Sequence, residues 1–268
     1  MSAASARSRN RVEISGQTEG DTVVLVHGFG VDQGAWSRVL PFFERHYRVL
    51  RYDLTGLGKS DLGAYHPARY ASLHGHADDL REICQELSIR EAIMVGHSAG
   101  GMIGTLAGLA QPGLFKQHVL VSSSPHYINE PGYVGGFERA EAEQVIYAVA
   151  RDYVSWVQSV VPMAVGKDAA QATTDQVMDS FRKVDPEIAV HMFRTILFSD
   201  HRDDLRRVTV PTLIVQATFD AFVPEEVARF THASIPGSKL HMLTGAGGHY
   251  PHLGAPTAVV TAIQDFLF

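Results

Sequence analysis

The sequence predicts an α/β chain: a mostly parallel central sheet flanked by helices and interrupted by a long helical insertion. Three observations predict it. Apolar, β-branched runs of strand length alternate with segments whose apolar residues recur at helical spacing. Several of these runs end in a glycine-rich turn, the place where open α/β sheets hold their ligands. From about residue 129 to residue 200 the strand-like runs vanish and helical patterns take over, after which the alternation resumes.

Taken in order, residues 1–10 are small, polar and charged, and are expected to be disordered. Residues 11–14 read as a short strand, and TVVLV at 22–26 as a strand covered on both faces. HGFG follows, and the chain turns helical around Trp36. Residues 47–52 form the next strand. The Gly56–Ser60 stretch after it lacks the spacing of a phosphate loop and reads as a turn. Residues 70–87 are helical, 92–95 a strand, the small-residue run from 101 to 110 a helix packed closely on the sheet, and 118–121 a strand. Helical patterns at 137–153, 154–161, 174–183 and 186–197 fill the insertion, with PGYVGG and VPMAVGKD as joints. Strands at 212–217 and 240–243 and helices from Pro224 and Pro256 close the chain. The expected organisation is a core of residues 11–128 and 201–268, with residues 129–200 as a helical cap over the strand ends.

At 268 residues and 45% apolar content, the chain can bury one sizeable core. A net charge of −6 without clustered cations excludes a nucleic-acid footprint or a polybasic membrane patch. The single cysteine, Cys84, excludes an internal disulfide and shares a helical face with Leu80, Ile83 and Leu87, which points to burial. The start of the chain lacks the apolar stretch of a secretory signal, and no apolar run approaches a membrane span. A cytoplasmic protein is expected.

The chemistry concentrates in AIMVGHSAGGMIG at 92–104, an apolar strand, a sharp turn and a helix, with Ser98 at the apex. Glycines at 96 and 100 give the turn room and let the helix start close to the strand. Ser98 is thereby strained and exposed, and the N–H of Ala99 can face a developing oxyanion. The Phe29 N–H in HGFG would supply the second donor. Asp220 follows the strand at 212–217 and His249 the strand at 240–243, in the chain order Ser, Asp, His of the α/β-hydrolase plan. His249 would take the Ser98 proton and return it to the leaving group, while Asp220 holds the imidazole tautomer. Competitors are weaker. Asp200, Asp203 and Asp204 precede their strand, His252 serves to brace its loop, and His74 and His76 lack the further ligands of a metal site and read as solvated helix positions.

HGFGVDQGAW, YDLTGLGKSD, GHSAGGMIG, SSSPHYIN, GGFE, VPMAVG, FSDHRDDL and GHYPHL occur in that order. From about His27 to the C-terminus the chain thereby resembles the α/β-hydrolase branch that contains the bacterial stress regulator RsbQ and the plant strigolactone and karrikin receptors. The resemblance implies a four-helix, V-shaped cap over a deep apolar pocket, the triad Ser98, Asp220 and His249, and neither metal nor organic cofactor. Matched positions imply a pocket lined by Phe29, His97, Tyr127, Phe137, Trp156, Val160, Leu197 and Phe222. The chain departs from its relatives at Ala99-Gly100-Gly101, at Val160, where many relatives carry Phe, and in its extended polar N-terminus; the first two widen the pocket. The function expected is hydrolysis of an ester or lactone in a small, largely apolar molecule through an acyl-enzyme. The alternative is a slow-turnover ligand sensor with a regulatory protein partner at the cap. A cofactor-free haloperoxidase-like or C–C bond hydrolase shares the triad, whereas a dehalogenase is disfavoured because its nucleophile is an aspartate.

Overall fold

The computed structural model describes residues 5–268. Among these, seven strands form one sheet: β1 (Glu13–Gly16), β2 (Thr22–Val26), β3 (Arg48–Arg51), β4 (Ala92–His97), β5 (Phe115–Val121), β6 (Thr212–Phe219) and β7 (Lys239–Gly247). Their spatial order is β1-β3-β2-β4-β5-β6-β7. Only β1 is antiparallel to its neighbour, with Glu13 opposite Arg51; the remaining pairs are parallel. The parallel strands are covered on both faces, which is why TVVLV and AIMV read as continuous apolar runs.

Successive side chains still alternate between two cores. Val24, Val26, Ala92 and Met94 face one layer, with Leu80, Ile83 and Cys84 of helix α3 (His74–Glu86) and Met102, Ile103 and Leu106 of helix α4 (Ala99–Ala110). Val23, Leu25, Ile93 and Val95 face the other, with Trp36, Phe43 of helix α2 (Leu40–His46), and Val259, Ala262 and Ile263 of the closing helix (Pro256–Leu267). Full burial of each valine, leucine, isoleucine, methionine or phenylalanine among them is worth about 1.5–3 kcal/mol.

Residues 5–10 correct the expectation of a disordered N-terminus, while residues 1–4 lie outside the described ones. Ala6–Arg9 form a short helix, α1, whose Ala6 and Arg7 amides donate to the Glu86 carboxylate at 2.7 and 3.0 Å. Arg9 pairs with Asp79 at 2.9 Å and Glu82 at 2.7 Å, and the Asn10 amide donates to Asp53 O and Thr55 Oγ1. The segment is polar because its partners on α3 are charged. This helix also delays β1 by two residues relative to the expected 11–14.

Between β5 and β6 lie α5 (Arg139–Arg151), α6 (Tyr153–Val165), α7 (Gln171–Phe181) and α8 (Pro186–Leu197). Helix α5 packs on both α6 and α8, and α6 also packs on α7. Asp152 and Asp185 cap α6 and α8 by accepting backbone N–H bonds. Helix α6 runs through Pro162, past its expected end at residue 161, and stops at Gly166 with φ 88°. A short bridge between His126 and Asp200 closes the neck of the insertion. After the neck come α9 (Arg202–Leu205), α10 (Glu225–Ser234), α11 (Pro251–Gly254) and the closing helix α12 already described. His76, expected in solvent, is buried against the Tyr70 ring at 4.5 Å. No helix among the described residues is long and apolar enough to cross a membrane.

Candidate active site

Ser98 stands between β4 and α4 with φ 54° and ψ −128°, a strained conformation for a residue with a Cβ. The surrounding packing holds it there. A Cβ on Gly100 would lie 2.3 Å from the Val26 carbonyl oxygen, so only glycine lets α4 begin this close to β2. A Cβ on Gly28 would lie 2.9 Å from the Ser98 Cβ, which puts the turn after β2 directly against the serine. That turn is held by His27. Its Nε2 accepts from the Leu54 N–H at 3.0 Å, so its Nδ1–H donates to Gly28 O at 2.8 Å. Burial lowers the His27 pKa despite the opposing charge of Asp53, which keeps the ring neutral.

His249 Nε2 lies 2.8 Å from Ser98 Oγ, and His249 Nδ1 lies 2.9 and 3.1 Å from the two Asp220 oxygens. Asp220 also accepts from the Phe222 and Val223 amides at 2.9 and 3.1 Å and from Gln216 Nε2 at 3.2 Å. Burial pushes its pKa up, but the His249 charge and the bonds from His249 and the Phe222 and Val223 amides outweigh that and hold it below the ordinary value. The serine, imidazole and carboxylate thus form one continuous hydrogen-bonded chain at the carboxyl edge of the sheet. Ala99 opens α4, so its N–H is one of those a helix N-terminus leaves without an intrahelical acceptor. Among the described residues, neither it nor the Phe29 N–H donates to another backbone group.

Above this chain lies a cavity of about 450 Å³, its open mouth included, with Ser98 and His249 in its wall. Of the residues expected to line it, Phe29, Tyr127, Trp156, Val160, Leu197 and Phe222 do so. His97 and Phe137 do not. His97 is buried behind His249, and its Nε2–H donates to the His249 carbonyl at 2.7 Å, so it supports the histidine loop. Phe137 lies one layer out, stacked on Phe222 with ring centroids 6.3 Å apart. Phe181, Phe193, Ile196 and Tyr250 also line the cavity and were not expected there. Phe193, Ile196 and Leu197 follow the three-and-four spacing of one face of α8, a signal the sequence contains. Phe181 ends the same kind of pattern on α7, four and three residues after Val177 and Met178. Its ring lies over Gly30, where an added Cβ would meet it at 2.1 Å. His252 is buried between Trp36 and His97, at ring distances of 4.7 and 4.5 Å.

A family model described as the alpha/beta hydrolase family matches residues 23–262. The chain belongs to this family. A strigolactone esterase from Pisum sativum is 38% identical over 255 residues, covering 95% of this chain and 94% of its own. A karrikin insensitive 2 receptor from Petunia hybrida is 36% identical over 252 residues, covering 94% of this chain and 92% of its own. Among solved structures, a hydrolase from Oleispira antarctica superposes with a TM-score of 0.93 at 32% identity, covering 97% of this chain and 95% of that one.

Proposed function

We propose that this α/β-hydrolase cleaves an ester or lactone of a small, largely apolar molecule by acyl transfer to Ser98. The observation that carries the reading is the Ser98–His249–Asp220 hydrogen-bond chain opening into an apolar cavity. His249 Nε2 accepts the Ser98 proton as Oγ attacks the carbonyl, and then passes it to the leaving oxygen. Asp220 fixes the Nδ1–H tautomer and stabilises the imidazolium that forms. The Phe29 and Ala99 amides receive the oxyanion, and water then releases the acyl group by the same route in reverse. Aromatic and aliphatic side chains predominate in the cavity wall, with Tyr127 Oη 3.5 Å from Ser98 Oγ as a further polar contact, so binding energy comes mainly from apolar area. The insertion helices act as a cap that shields the acyl-enzyme from water.

The test is hydrolysis of short-chain aryl esters by the wild type and Ser98→Ala. Loss of kcat on the order of 10⁶-fold is expected, with a covalent serine inhibitor labelling only the wild type. Undiminished turnover by Ser98→Ala sinks the reading.

The relatives named strigolactone esterase and karrikin insensitive 2 receptor support a second reading. In it the protein is a slow hydrolase whose ligand-bound cap engages a regulatory protein. Single-turnover kinetics separate the two: a burst followed by slow deacylation favours the sensor, and steady turnover near the enzyme median of about 10 per second favours metabolism.

A further inference from the structure

Away from the cavity, three potential metal ligands converge where the helical insertion leaves and rejoins the core. We propose that His126, Glu130 and Asp200 bind one divalent transition-metal ion of the zinc class at this neck. Their donor atoms lie within 4.8 Å of one another. His126 Nδ1–H donates to Ser199 O at 2.6 Å, so Nε2 is the ring position that can present a lone pair. That nitrogen is buried, has no hydrogen-bond partner among the described residues, and lies 3.6 Å from Glu130 Oε1. A ligating histidine that donates its other N–H to a backbone carbonyl is the usual outer-shell arrangement of a metal site.

Arg202 orients both carboxylates. Arg202 Nη2 holds Glu130 Oε2 at 2.6 Å, which leaves Oε1 as the oxygen turned toward His126. Arg202 also grips both Asp200 oxygens, Oδ1 through Nε at 2.9 Å and Oδ2 through Nη2 at 2.5 Å, so an ion would share them with the guanidinium, which lies 4.8 Å from the Tyr133 ring centroid. The hydrogen bonds from Arg202 lower the pKa of both carboxyls, so both are anionic at neutral pH. Two carboxylates against one guanidinium leave one net negative charge beside the imidazole nitrogen. One nitrogen and two carboxylate oxygens suit zinc, cobalt or nickel better than calcium or magnesium. Glu130 and Asp200 are exposed enough to give an ion a way in, and solvent can complete its coordination.

An ion here would clasp the two segments that the His126–Asp200 bridge already joins. Tyr127 follows His126 directly, and Ile196 and Leu197 shortly precede Asp200; all three line the cavity. Occupancy would therefore stiffen one wall of the cavity without entering it.

The full-length protein is stripped with a chelator and titrated with zinc chloride or cobalt chloride alone, following heat and, for cobalt, the visible absorption. Wild type and His74→Gln should take up one ion per chain at this site. His126→Gln and Glu130→Gln should each bind it at least about tenfold more weakly. Glu130→Gln changes a partly exposed side chain to a neutral one of the same shape, so it tests the site even where a buried-histidine variant folds poorly. Absence of uptake by wild type, or equal uptake by both site variants, overturns the proposal.

Discussion

At the floor of the cavity, Asp220 accepts from His249, Gln216 and two backbone amides. At its roof, Trp156 meets Phe181 and Phe193 only as rings, with centroids 6.0 and 5.3 Å apart. The floor depends on direction and charge, because each polar atom there is out of water and must find a partner at one distance and angle. The roof depends on area, which tolerates exchange of one ring for another at modest cost. A single atom changed in the floor should therefore cost orders of magnitude, and a whole side chain removed from the roof much less.

The sharpest way to break this contrast is Asp220→Asn. It preserves shape but cannot hold His249 in the required tautomer, so kcat should fall about 10⁴-fold, or about 5 kcal/mol of transition-state stabilisation. Its fold should survive, as near-ultraviolet circular dichroism would show. A loss below about tenfold would mean that the carboxylate is not coupled to the histidine as the geometry indicates.

A smaller effect concerns histidines packed without charge partners. Burial pushes His118 down to about 4, and burial with a minor contribution from His249 pushes His252 down to about 3. Both lie below the unfolded value of about 6.5, so the unfolded chain binds protons first as the pH falls. The stability that these neutral rings contribute is complete above about pH 6.5 and is lost progressively below it. Urea midpoints should decline from pH 6.5 toward pH 4. His118→Leu should remove part of that slope, up to about 3 kcal/mol at the acid end. An unchanged slope would count against a neutral His118.

The smallest effect is expected at the roof. Trp156→Ala should raise KM for an apolar ester roughly tenfold and leave kcat nearly unchanged, because the ring binds ground state and transition state alike. A fall in kcat that matched the rise in KM would give the roof a directional role as well.

The strands and the positions of Ser98, Asp220 and His249 at strand ends were readable because each is a local event. A short, mainly apolar run that breaks off into a turn marks a strand end, and Ser98, Asp220 and His249 each follow such a run, with glycines at the serine and histidine turns and none in the aspartate loop. The N-terminal helix was not readable. Its four residues include good helix formers but are too few to form a helix alone, and its stability comes from Glu86, Asp79 and Glu82 on α3, some 70–80 positions away. His97 adjoins Ser98 in the chain and the Phe137 N–H donates to the Tyr127 carbonyl, yet each side chain lies behind another: His97 behind His249, and Phe137 behind Phe222.

By itself, the sequence determined the strand order of the chemistry: which turns carry the serine, the acid and the histidine, and that a helical segment interrupts the sheet. Those features follow from periodicity and turn residues within a dozen positions. Only the tertiary structure decided which aromatic rings face Ser98, how the polar N-terminus is anchored, and that His126 meets Glu130 and Asp200 at the neck. Each of these depends on the approach of segments distant in the chain, and side-chain period alone does not specify which of two buried rings lies in front.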